Sequence, residues 1–109
     1  MNYTEIKIAT IKEFGFENYK FCRASADFRL TLSLSDSQGK YIKFNQTVIS
    51  QNIASLIHNL LFVFEIKNTF ELIGKTIRVE LQNNIPIGIG TQKWMIHFDG
   101  HGNFSSKDA

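Results

Sequence analysis

Within His97-Phe98-Asp99-Gly100-His101, two imidazoles and a carboxylate fall inside five residues, and histidine is the commonest metal ligand. On an extended strand His97 and Asp99 share a face, which is the geometric argument for a metal site. Beside that pair no third protein ligand is identifiable, since His101 lies in a Gly-flanked tail, and structural zinc takes four. Solvated surface histidines are therefore the preferred reading, and no cofactor is expected. His58 falls beside Asn59 on the polar side of a helix and reads as a surface residue. Cys22, the only cysteine, stands between Phe21 and Arg23. The guanidinium would favour a thiolate, but no base accompanies it, so an ordinary buried thiol is expected. A single cysteine also excludes an internal disulfide framework and a multi-thiolate metal site within one chain. No Ser-His-Asp arrangement or paired carboxylates follow from spacing, so the chain is expected to bind rather than catalyse.

Two glycine motifs invite comparison with phosphate-binding loops. Gly74-Lys75-Thr76 matches the end of a P-loop, but the first glycine of that loop is replaced by Thr69, and the order here is turn into strand. No helix N-terminus would face a phosphate. Gly88-Ile89-Gly90 lacks the third glycine of a dinucleotide fingerprint, since Lys93 stands there, and no helix follows. A bulge or a close backbone approach before Trp94 explains these glycines better.

The elements that would position such residues follow from periodicity. Thr4 to Phe16 has Ile6 and Ile8 in alternation, then Ile11 and Phe14 out of phase, which reads as a strand with a bulge or one ending near Ala9. Tyr19 to Cys22 is a candidate second short strand. Phe28, Leu30, Leu32 and Leu34 alternate with Arg29, Thr31, Ser33 and Ser35. Asp36-Ser37-Gln38-Gly39 suits a type I turn closed by a glycine at positive φ. A three-residue loop pairs Leu34 with Ile42 and Leu32 with Phe44, whereas a four-residue loop would put Lys43 on the apolar face. Ile53, Leu56, Ile57, Leu60, Leu61 and Phe64 make one helical face, with Ser50 as N-cap. Phe62 and Val63 widen the apolar side, implying a last turn wrapped by other elements. Thr69 to Gly74 reads as one turn capped by Thr69 and ended by Gly74. Ile77, Val79 and Leu81 then face Ile89, Ile87 and Ile85 across a loop ending in Asn84, and Trp94, Ile96 and Phe98 form a final strand. The expected fold is α+β: a mostly antiparallel sheet of 4–6 strands, with two hairpins and one amphipathic helix across one face. Residues 1–99 form the single domain, and 100–109 a frayed polar tail.

Composition agrees with one domain. The chain has 109 residues, 43% hydrophobic and 20% charged, which argues against disorder and membrane spanning. The opening Met1-Asn2-Tyr3-Thr4-Glu5 has no basic stretch before an apolar run, so a cytoplasmic location and no membrane partner are expected. Twelve basic residues stand against ten acidic ones, for a net charge of +2. In sequence they are interspersed, as in Glu5-Ile6-Lys7 and Arg78-Val79-Glu80. Nucleic-acid modules concentrate cations on one face, so duplex DNA is not favoured as a partner.

Two surfaces remain. In the three-residue register Arg29, Thr31, Ser33, Tyr41, Lys43 and Asn45 share the face away from the helix, fit for a protein or for a nucleic-acid strand stacking on Tyr41. Pro86 marks Ile85 to Gly90 as an edge strand, and Pro86, Gly88, Thr91 and Trp94 are candidates there for a homodimer contact or a partner's docking site.

Phe70-Glu71-Leu72-Ile73-Gly74-Lys75-Thr76-Ile77-Arg78-Val79, followed by Ile87-Gly88-Ile89-Gly90 and Lys93-Trp94, resembles a pattern in small phage and prophage accessory proteins. The resemblance covers about a quarter of the chain and its motif is structural. It implies a mobile-element protein that binds a host protein, in its sharpest form an anti-CRISPR-like inhibitor of a defence nuclease. The alternative is a nucleic-acid or nucleotide-binding accessory protein.

Overall fold

A computed structural model describes residues 3–21 and 26–109, the side chains of residues 18–21 and 26 excepted. Cys22 and Arg23 lie outside the described residues. The long first strand, β1 (Thr4–Phe21), takes in Tyr19, Lys20 and Phe21, so the candidate second short strand over Tyr19 to Cys22 is not separate over these residues. Its second half pairs with β2 (Ala26–Asp36), and its first with β4 (Thr76–Gln82), both antiparallel. Of the two readings of this segment, the bulged strand holds and an end near Ala9 does not. Between Ile11 and Glu13 the β2 register slips by one, leaving Lys12 as the extra residue. Ala9 and Ile11 before it, and Phe14 and Phe16 after it, consequently all turn toward the core.

The β2–β3 hairpin, with β3 spanning Tyr41–Ile49, has the three-residue register, Leu34 opposite Ile42 and Leu32 opposite Phe44. Gly39 takes φ 78°. The Asp36 carboxylate accepts the backbone N–H groups of Lys40 at 2.8 Å and Gln38 at 2.9 Å. These bonds, that from Lys40 foremost, hold its pKa below the ordinary aspartate value.

Ser50 opens a 3-10 turn, Ser50–Asn52, instead of capping the helix; α1 (Ile53–Val63) begins after Asn52. Leu56, Leu60 and Val63 are buried, while Phe62 stays exposed. The next turn, Thr69–Leu72, is capped one residue earlier than expected. Its N-cap is Asn68, whose N–H donates to Glu71 Oε2 at 2.9 Å. Gly74, at φ 91°, ends the segment as its position implied.

Among the described residues seven strands, one more than the upper expectation, form a single antiparallel sheet ordered β3-β2-β1-β4-β5-β6-β7. The others are β5 (Ile85–Gly90), β6 (Trp94–Phe98) and β7 (Phe104–Asp108). The seventh comes from the stretch expected to be a frayed tail. Phe104 packs against Phe98, and the backbone of 104–108 pairs with β6, which would otherwise have been an open edge. One α-helix is present among the described residues, and no helix among them is long and apolar enough to cross a membrane.

The second hairpin departs from its expected register. Asn83 and Asn84 both adopt positive φ, 52° and 69°, closing a two-residue turn with Gln82 opposite Ile85. A bulge then accommodates Ile87, so Val79 meets Ile89 and not Ile87. Ile85 is consequently exposed and Ile89 fully buried.

Contacts across the interior show that the sheet coils on itself. Phe44 and Phe98 meet edge to face at 5.3 Å. Gln46, buried and inward-facing, donates to the Pro86 carbonyl at 3.0 Å. Val48 forms a parallel bridge with Gly102, whose φ is 94°. Asn52 secures this junction by donating to the Gly102 carbonyl at 2.9 Å and to Asn103 Oδ1 at 3.0 Å.

Two glycines test this packing. A Cβ on Gly90 would run into the Trp94 carbonyl oxygen and the Met95 sulfur, whereas one on Gly39 would meet open space. Gly90→Ala is expected to cost about 2–3 kcal/mol by overpacking, and Gly39→Ala about 1–2 kcal/mol through positive φ alone. Urea denaturation measures both. A Gly90→Ala variant as stable as the wild type would contradict the close pairing of β5 and β6.

Candidate functional site

The outward side chains of β2 and β3 form the face expected from the sequence. Lys43 lies opposite Ser33, Asn45 opposite Thr31 and Tyr41 opposite Ser35, with Arg29 further along. Part of its hydrogen-bonding capacity is already used. The Ser33 hydroxyl and the Tyr41 phenol are 3.4 Å apart, and Thr31 donates to the Gly15 carbonyl at 3.2 Å. Tyr41 remains 63% exposed. From β1, Glu13 and Glu17 join this face opposite Ser33 and Arg29, bringing acids among the cations.

The same face continues across β1 to two residues not assigned to a surface above. Ile6 and Ile8 lie opposite Glu80 and Arg78 of β4 and are 40% and 49% exposed. The inward positions between and beside them hold Glu5 and Lys7, opposite Leu81 and Val79. The alternation was visible, but its phase was not. Counting back from the buried Ala9 and Ile11 puts the odd positions inside and the two isoleucines outside.

The predicted edge is overturned. β5 lies between β4 and β6, and Gly88 and Gly90 are buried beneath β6 side chains. Pro86 is tolerated because β6 pairs only with Gly88 to Gly90, beyond it, and its carbonyl is taken by Gln46. The terminal strands of the sheet are β3 and β7. Thr91 lies instead in the turn after β5 and Trp94 opens β6; the Thr91 hydroxyl accepts the N–H groups of Lys93 at 3.2 Å and Trp94 at 3.3 Å.

His97, Asp99 and His101 are not brought together. The His97 ring crosses Gly88 to put Nε2 3.0 Å from Glu80 Oε2, while its Nδ1 is buried without a partner. Asp99 turns into the β6–β7 connection and accepts the backbone N–H groups of His101 at 2.7 Å and Asn103 at 3.2 Å. No group of three or more potential ligands among the described residues could hold a metal ion.

A pocket of about 680 Å³ opens where the end of α1, the start of β4 and the β5–β6 turn converge. Phe62 and Trp94 form an edge-to-face pair in its wall, ring centres 5.4 Å apart, and Ile8 contributes from the outer sheet face. Lys75, Arg78 and Lys93 supply cations, and Glu65 the one carboxylate. Arg78 is half-buried, and its guanidinium makes no hydrogen bond or ion pair among the described residues. No local signal in the sequence marks this site, since its residues come from four separate segments. No family model, curated protein or solved structure matches the chain.

The Asp99 turn has a pH signature. The His101 N–H bond is the largest cause and lowers the Asp99 pKa; desolvation opposes it, and the Asn103 bonds add to the lowering. A depressed folded pKa means a stabilising contribution that is complete above the unfolded value and is lost as pH falls through the folded one. Asp99→Asn removes the titration while keeping an acceptor oxygen. Its stability is therefore expected to fall less steeply than that of the wild type below pH of about 4. Denaturation midpoints measured across the acid range check this, and parallel curves would refute it.

Proposed function

We propose that the chain is a non-enzymatic binding protein that docks a protein partner on the outward face of its sheet. The observation that carries this is the exposure of Ile6 and Ile8. A strand covered on one side gains most by turning its aliphatic residues inward, and here two neighbouring isoleucines face out while Glu5 and Lys7 face in. An apolar patch kept in water, flanked by hydrogen-bonding and charged groups, is the composition of a contact surface. Ile6 and Ile8 supply its apolar centre, and Tyr41, Ser33, Lys43 and Arg78 its polar surround. Protein is favoured over nucleic acid because Glu13 and Glu17 offset Arg29 and Lys43, leaving little charge for successive phosphates.

The resemblance to phage and prophage accessory proteins supplies the sharper form of the proposal. In that form the partner is a CRISPR-type defence nuclease, inhibited by occlusion of its surface. The test expresses the chain in bacteria with an active CRISPR system and scores plaquing by a targeted phage, with effector co-purification in parallel. The expected outcome is restored plaquing and recovery of the effector. Ile6→Lys, at an exposed site, leaves the fold intact but loses about 2 kcal/mol of docking energy, roughly thirtyfold in affinity. Inhibition that survives Ile6→Lys undiminished would remove this face from the function. Absence of any effector complex would remove the nuclease.

A further inference from the structure

We infer that the pocket between α1 and the β5–β6 turn is a binding site for a nucleoside phosphate, free or as the end of a strand. This site adjoins the Ile6 face and shares Ile8 and Arg78 with it, while its other walls, from α1 and the β5–β6 turn, lie off that face. Its volume, about 680 Å³, is that of a small-molecule site. Three of the chain's twelve basic side chains line it against one of its ten acids, so the whole net charge of +2 resides there. The remaining charges cancel. Arg78 is the decisive group, because a half-buried guanidinium without a partner among the described residues is a costly arrangement that an anion relieves, and its planar fork suits phosphate oxygens. Lys75 and Lys93 flank it as point charges.

An anion alone does not account for the rest of the wall. Phe62, on the last turn of α1, is 57% exposed and held edge-on by Trp94. That leaves an oriented aromatic surface on which a base can stack. At the same end lie Glu65 and the C-terminus of the helix, both negative in character. The pocket is thus polarised, with cations at the β4 and β5–β6 side and acceptors at the helix side. A ligand with phosphate at one end and a ring bearing an exocyclic amino group at the other matches both. Adenine, guanine and cytosine have that group; uracil does not.

Trp94 is the only tryptophan, so its fluorescence reports on this pocket directly. Adenosine monophosphate, uridine monophosphate, adenosine and inorganic phosphate are titrated separately, with calorimetry as a second readout. Adenosine monophosphate is expected to give a saturable change in Trp94 emission, with affinity about tenfold above that of adenosine or phosphate alone. Uridine monophosphate is expected to bind more weakly than the adenosine form. Arg78→Gln weakens binding by about tenfold or more. Lys93→Glu, at an exposed turn position that leaves folding intact, weakens it as well. Ile6→Lys, which disrupts protein docking, leaves it unchanged. Short single-stranded oligonucleotides with and without a 5′-phosphate distinguish the sources. Preference for the phosphorylated form identifies a strand end, and binding no tighter than the mononucleotide identifies a free nucleotide. No saturable signal from any nucleotide, phosphate binding as tight as that of adenosine monophosphate, or an Arg78→Gln variant with wild-type affinity would each overturn the assignment.

Discussion

The bulge at Lys12 governs the rest of the structure, because one strand has to serve two neighbours along different parts of its length. Without it, residues of a single parity would face the core all along β1. Ala9 and Ile11 would then be inside and Phe14 and Phe16 outside. One extra residue reverses the parity, so both pairs are covered by the same interior. The consequence upstream is fixed by the same arithmetic. Once Ala9 and Ile11 face inward, Ile6 and Ile8 must face outward and Glu5 and Lys7 inward. The exposed isoleucines are therefore tied to the core packing of Ala9 and Ile11 on the same strand, and no local repacking could bury them.

A second constraint comes from glycine on β5. Gly88 and Gly90 alternate with Ile89, which is fully buried, so β5 presents a side chain to the core and almost none to the outer face. The outward residues of β6, Met95 and His97, lie across the vacant positions, and His97 reaches Glu80 on β4. A side chain at Gly88 would meet the His97 ring at 3.1 Å, so the histidine–glutamate contact exists because that position is empty. This also accounts for the failure of His97 and Asp99 to share a site. His97 is drawn toward the middle of the sheet, while Asp99 is drawn into its own turn by two backbone donors.

Features set by neighbours in sequence were legible. The β2–β3 register, the helix face and the bulge all follow from apolar spacing, with a turn or a phase change to fix them. The residues of the β2–β3 face were correctly grouped because one hairpin carries them all. Errors arose where two local solutions compete or where a distant partner decides. Asn83 and Asn84 can supply one or two positive-φ residues, and the choice of two moved the bulge to Ile87 and changed every pair below it. Pro86 looked like an edge residue because a missing donor is local information, whereas Gln46 arriving from β3 is not. The seventh strand was missed because Ser105, Ser106, Lys107 and Asp108 have no apolar alternation. Their placement comes from the free backbone of β6 and from Phe104.

Charge distribution illustrates the same limit in another form. Along the chain, Lys75, Arg78 and Lys93 are separated and each has acids nearby in sequence, so the pattern reads as a solvated surface. In the fold, β4 begins where β5 ends, and the following turn brings Lys93 back to the level of Arg78, which lies opposite Gly90. The acids that dilute these cations in sequence are removed by the same geometry. Glu80 turns to His97, and Glu71 to the backbone N–H groups of Asn68 and Lys67, which lower its pKa and keep it charged but engaged. What remains facing the pocket is a cationic excess beside two aromatic rings. Interspersed charge in a sequence therefore limits the length of a basic run but not the density of a basic site, because hairpins assemble sites from residues they hold far apart along the chain.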